Sequence, residues 1–167
     1  MGKLNARLIA EIGLTLALGI VLHMIPIYQL PQGGRITLGS LVPIFVLSIR
    51  RGYKVGMLTG AIFGLLVYLI EPFFVHPIQF ILDYPLAFSL LGISGFIRGV
   101  PAIGIIVGTT GRLLSHIVSG VVYFSSYAPK GMNPWGYSVS YNSSVILPDA
   151  VLALLITIII LPRLPKR

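Results

Sequence analysis

Residues 115–149, from Ser115 to Asp149, read SHIVSGVVYFSSYAPKGMNPWGYSVSYNSSVILPD. The run begins inside an apolar segment carrying His116, passes through tyrosines, serines, prolines and one tryptophan, and re-enters an apolar segment after Tyr141 and Asn142. Two such segments joined in this way are the mark of a polytopic helical membrane protein. Imidazole, amide, phenol and indole groups are costly beside lipid, so their concentration here points to a ligand cavity.

The rest of the chain agrees. Of 167 residues, 56% are hydrophobic and 10% charged, and the mean hydropathy is +0.95; lipid is the main solvent. The absence of cysteine excludes disulfides, thiolate nucleophiles and Cys-ligated metals. A net charge of +8 suggests nucleic acid in a soluble protein. Here the basic residues sit in short clusters at the ends of apolar runs, where they follow a topological rule, and no nucleic-acid partner is expected. Lys3 and Arg7 lead into an apolar stretch too long for a signal-peptide core and without a small-residue cleavage site, so it reads as a retained first span.

A bilayer core takes roughly 20 apolar residues per helix. The chain offers six candidate spans, at 6–27, 37–50, 53–71, 77–97, 101–125 and 143–161, within a single domain over residues 1–167. The second is short, beginning above the membrane or shielded by its neighbours, because Pro31, Gly33, Gly34 and Pro43 argue against a regular helix through the loop before it. Lys3, Arg7, Arg50, Arg51, Lys54, Arg98, Arg163, Lys166 and Arg167 fall on one side of this arrangement, Arg35 and Lys130 on the other, and Arg112 inside a span. The positive-inside rule then puts both termini in the cytoplasm and opens the loop from Phe124 to Asn142 outward.

Gly52, Gly56, Gly60 and Gly64 recur every four residues and give the third span a face that another helix can approach closely, a pattern read as internal packing. Ala6, Ala10, Gly13 and Ala17 mark a similar face on the first span, suited to packing or to a partner.

Asp83 and Asp149 lie in or at the edge of spans on the outer half. A carboxylate at that depth must be paired or face a cavity, so Asp83 is a functional candidate, with an ion pair to Arg112 as the competing reading. Arg112, His116 and Gly120 are spaced i, i+4, i+8 and share one face of the fifth helix, with Gly120 clearing space and Tyr123 and Phe124 above it. Tyr137 and Asn142 open the sixth span, as ligand contacts or as an interfacial belt and helix entry. The sequon at Asn142 is discounted at a membrane-embedded helix start. There is no phosphate loop, His-Glu-x-x-His, Gly-x-Ser-x-Gly or paired-aspartate cluster, so no enzyme, metal or cofactor is expected. If the chain moves a solute against a gradient, the nucleotide chemistry belongs to another subunit.

Several segments carry a family likeness: Arg-Leu-Ile-Ala-Glu-Ile-Gly near the start, Pro-Gln-Gly-Gly-Arg-Ile-Thr-Leu-Gly before the second span, Leu-Ser-Ile-Arg-Arg-Gly after it, Leu-Asp-Tyr-Pro-Leu-Ala-Phe, Tyr-Ala-Pro-Lys-Gly-Met-Asn-Pro-Trp and Tyr-Ser-Val-Ser-Tyr-Asn. Over nearly its whole length the chain resembles the thiamine-specific S component of energy-coupling factor transporters. The resemblance implies an all-α, six-helix subunit of the bacterial cell membrane that captures the vitamin from outside. It also implies assembly with a transmembrane coupling protein and two cytoplasmic ATPases, and toppling in the membrane to release the cargo. Gly13 and Ala17 then correspond to the small-residue stripe that meets the coupling protein.

Carried over by motif, the resemblance puts the acidic pocket residue at Asp83 with Tyr84 beside it, the imidazole at His116 next to Gly120, the pyrimidine-stacking aromatic at Phe124, and polar contacts at Tyr137 and Asn142. Some relatives have Glu in place of Asp83, Trp in place of Phe124, and a further Trp where this chain has Gly33, Gly34 and Arg35; Trp135 is the residue expected to compensate. Thiamine's chemistry fits this set, because its aminopyrimidine needs hydrogen bonds and stacking and its thiazolium needs a carboxylate or π-face. Two rivals are an S component for another flat vitamin such as riboflavin, and an intramembrane enzyme using Asp83 and His116 as an acid/base pair. A co-purified small molecule identified by mass spectrometry separates them.

Overall fold

The computed structural model describes residues 5–30 and 33–165; Lys3, Lys166, Arg167 and the Pro31-Gln32 pair, all used above, lie outside them. Helix α1, Ala6–His23, starts at Asn5, whose side chain accepts from the Leu8 N–H at 2.9 Å. It stops four residues short of the expected end, because Pro26 pushes the residue before it into extended backbone. Two strands that the all-α expectation lacked follow. These are β1, Pro26–Gln29, and β2, Arg35–Thr37, paired antiparallel with Gln29 opposite Arg35 and a bulge between Pro26 and Tyr28.

Helix α2, Val42–Arg51, has 10 residues, about 15 Å of rise and too little to cross the bilayer. Its Ile44, Phe45, Leu47 and Ile49 are buried, so it is the shielded central element and the hairpin completes its path. Gly52, at φ +99°, ends it in a conformation that disfavours a side chain. Helix α3, Tyr53–Ile70, returns. Helix α4, Pro77–Phe96, is composite: α-helical over Pro77–Ile81, a π turn over Leu82–Leu86 containing Pro85, α-helical over Ala87–Leu91 and 3-10 over Gly92–Phe96. Helix α5 spans Pro101–Tyr123 and α6 spans Pro134–Ile160.

Among the described residues, α1, α3, α4, α5 and α6 are each long and apolar enough to cross a membrane. The sixth helix begins nine residues before the expected 143: Pro134 sits in its first turn, and Asn133 caps it by accepting from Gly136 N–H at 2.9 Å. Much of the loop read as open is therefore helical.

Phe45, Phe63, Phe88, Leu91 and Ile105 form the core where α2 to α5 meet. The α3 glycines serve this packing. A methyl on Gly60 would run into the Phe88 carbonyl, one on Gly64 into the Tyr84 carbonyl, and one on Gly56 into Ser48 and Gly92. The α1 stripe differs, since Ala6, Ala10, Gly13 and Ala17 are all exposed and a Cβ on Gly13 would meet nothing within 4 Å. Alternation of the helices puts the hairpin, the 71–76 connection and the 124–133 loop at one end, and Arg7, Arg50, Arg51, Lys54, Arg98 and Arg163 towards the other.

Candidate functional site

A cavity of about 650 Å³ lies beneath the hairpin, walled by α3, α4, α5 and α6. That volume suits a small organic molecule. Asp83, Tyr84, His116, Gly120, Phe124, Tyr137 and Asn142 all line it. Trp135 does not: it sits in the first turn of α6, 58% exposed and off the lining.

Asp83 sits in the π turn of α4, a widening found often at functional sites. Ser115 on α5 donates to the Leu82 carbonyl at 2.6 Å and pins the turn against its neighbour. The carboxylate is held by three side chains. Gln79 Nε2 donates to Oδ2 at 2.8 Å, Ser119 Oγ to the same oxygen at 2.9 Å, and His116 Nδ1 lies 3.1 Å from Oδ1. With Nδ1 donating to the carboxylate, Nε2 is the ring nitrogen left for another partner. That Nε2 is buried and has no partner among the described residues.

Arg112, the competing partner for Asp83, goes elsewhere. Its Nη1 lies 3.5 Å from Asp149 Oδ2, and its guanidinium carbon 4.6 Å from the centre of the Phe88 ring. Asp149 Oδ1 accepts the Thr37 N–H and the Thr37 hydroxyl, each at 2.9 Å. This buried node ties β2 to α5 and α6, and among the described residues it pairs Arg112 with Asp149 and not with Asp83.

Asn142 Nδ2 donates to the Ser138 carbonyl at 2.9 Å and to the His116 carbonyl at 3.4 Å, so its amide oxygen is left to the cavity. The space that Gly120 clears is taken up by Ser138 and Asn142: a Cβ there would strike the Ser138 hydroxyl. Phe124 leans on Phe73 with centroids 5.7 Å apart, while Tyr137 stacks on Tyr141 at 5.9 Å.

Several lining residues escaped the sequence reading. Tyr141 accepts the Gly34 N–H at 3.0 Å and so docks the hairpin on α6. Arg35 on β2 pairs with Glu71 after α3, and His23 Nε2 is 3.8 Å from the same Glu71 oxygen. Burial pushes the Glu71 carboxyl above its usual range, against the opposing pull of Arg35. The readable signal was two opposite charges, Arg35 and Glu71, at the same end of an otherwise apolar chain.

Comparison with known proteins adds independent observations. The family described as "Thiamine transporter protein" matches residues 9–167. The thiamine transporter ThiT of Bacillus subtilis is 32% identical over 183 residues, covering 98% of this chain and 94% of that protein. ThiT of Lacticaseibacillus paracasei is 33% identical over 147 residues, covering 76% and 73%. A solved structure of ThiT from Listeria monocytogenes superposes with a TM-score of 0.83 at 28% identity, over 97% of this chain and 98% of that one.

Proposed function

We propose that this chain, which belongs to the thiamine transporter protein family, is a multi-pass membrane subunit that captures thiamine from the outer side without nucleotide chemistry of its own. The observation that carries the reading is the Asp83 carboxylate, lining the cavity, oriented by Gln79, Ser119 and His116, and, among the described residues, not paired with Arg112, which goes to Asp149. Asp83 Oδ1 accepts from the exocyclic amine of the pyrimidine and its charge balances the thiazolium. Asn142 and Tyr137 meet the pyrimidine edge, Phe124 and Tyr84 supply ring faces, and Gly120 lets α6 come close enough to deliver Asn142. Family membership removes the riboflavin and enzyme alternatives.

The residues of one binding unit, 1–167, then act as the S component of an energy-coupling factor transporter, with a coupling protein and two ATPases as partners. The Gly13 and Ala17 face of α1 supports this assignment, since both residues are exposed among the described residues. The basic residues at the end opposite the hairpin support cytoplasmic termini.

Purified protein titrated with thiamine by calorimetry tests the reading, together with mass spectrometry of what co-purifies. Saturable binding at one site per chain is expected. Folded protein that gives no heat with thiamine and carries no thiamine would refute it.

A further inference from the structure

Asp83 carries two unequal oxygens. Each carboxylate oxygen accepts roughly two hydrogen bonds. Oδ2 already takes two, from Gln79 and Ser119, while Oδ1 takes one, from His116. The protein therefore saturates one oxygen and presents a single open lone pair on the other. Gln79 enforces that choice. It is 1% exposed and not among the cavity-lining residues. Its amide is fixed at its other end, where Oε1 accepts the Val75 N–H at 3.0 Å, and Nε2 also reaches the Phe73 carbonyl at 3.4 Å. The amide cannot turn over without placing its oxygen against the carboxylate and its NH2 against the Val75 N–H.

We propose that Gln79 is a positioning residue that sets the ligand selectivity of this site: by holding the Asp83 carboxylate to the backbone of the 73–75 segment, it aims the open lone pair of Oδ1 at a ligand amine and disfavours ligands with an acceptor at that point. Ser119 supports it from α5. Phe73, whose carbonyl Gln79 touches, itself lines the cavity, so the orientation of the carboxylate is tied to the rim as well as to α4. The inference rests on the thiamine reading and concerns how the site tells an amine from a carbonyl.

The experiment compares thiamine with oxythiamine, in which an oxo group replaces the exocyclic amine, by titration of wild type, Gln79→Met, Asp83→Asn and the double variant. Gln79→Met roughly keeps length and bulk while removing all three hydrogen bonds of the amide. It is expected to weaken thiamine roughly 10-fold and oxythiamine less than about 2-fold, so that the selectivity ratio falls. In the Asp83→Asn background the same change is expected to alter thiamine affinity less than about 2-fold, because the two residues act as a unit. Equal losses for both ligands, or an undiminished loss in the Asp83→Asn background, would show that Gln79 only supports the fold and overturn the proposal. If Gln79→Met yields no folded protein, Ser119→Ala removes one donor from the same oxygen; a loss of roughly 3-fold confined to thiamine supports the proposal, and equal losses for both ligands overturn it. Wild-type protein that binds neither ligand refutes the thiamine reading itself, whereas wild type that binds thiamine while the ratio stays fixed in the variants refutes only the role of Gln79.

Discussion

Asp83→Asn separates a binding carboxylate from a structural one. The substitution preserves shape, removes the charge that balances the thiazolium and replaces one acceptor with a donor. Gln79 and Ser119 both donate to Oδ2, so the amide oxygen of Asn occupies that position and its NH2 faces His116. His116 accommodates this by moving its proton from Nδ1 to Nε2. The ligand loses its charged partner, while the contacts that hold residue 83 inside the protein survive. The loss of a charge-assisted partner in a desolvated site costs about 2 to 4 kcal/mol, which is roughly 30- to 1,000-fold in thiamine affinity. Because Arg112 is matched by Asp149, the ligand-free protein is expected to change by less than about 1 kcal/mol. Calorimetry gives the affinity, and the melting temperature of ligand-free protein gives the stability. Unchanged affinity beside a large fall in melting temperature would refute the reasoning.

Asp149→Asn should show the opposite pattern, leaving Arg112 buried against a neutral group and costing about 3 kcal/mol of ligand-free stability; an unchanged melting temperature would show that the pair carries little. Gly60→Ala should lower the melting temperature by driving a methyl into the Phe88 carbonyl, a loss of about 1 to 3 kcal/mol. Gly13→Leu should leave both melting temperature and thiamine binding intact and abolish vitamin uptake by the assembled transporter; uptake falling only in step with binding would assign the α1 face to this chain's own folding. Glu71 gives a pH dependence: its folded pKa lies above the unfolded value, so its contribution to stability is present in acid and lost as pH rises through the raised value. Ligand-free melting followed across that range should lose this component in Glu71→Gln, and superimposable curves for the two proteins would exclude it.

How far the site is legible in the sequence depends on whether its residues share an element. Arg112, His116 and Gly120 needed only the helical repeat of α5, and Asp83 needed only the rule that lipid rejects a lone carboxylate. The partner of Arg112 was not legible, because Asp83 and Asp149 are both acids at similar depth and only the crossing of α5 and α6 decides between them. The hairpin was missed because Met24, Ile25 and Ile27 extend the apolar run of α1 past Pro26, where hydropathy and backbone geometry disagree and geometry wins. The early start of α6 was written in Asn133 and Pro134, a capping pair masked by the aromatic residues around it. Trp135 was drawn to the cavity by its chemistry alone, but the helix that this capping pair starts turns it away.

The π turn at Leu82–Leu86 acts as a phase adjuster for α4. One residue more than a regular turn is about 100° of rotation. At its start the turn can therefore direct Asp83 towards α5 and the cavity with Gln79 behind it, while downstream the helix seats Ala87, Phe88 and Leu91 in the core and lays carbonyls against the α3 glycines. Deleting a single residue from this turn would keep composition, hydropathy and length almost unchanged, yet it would set the two halves out of step, so that either the carboxylate leaves His116 or the packing against α3 comes apart. Recognition and folding thus share one helix without sharing one register.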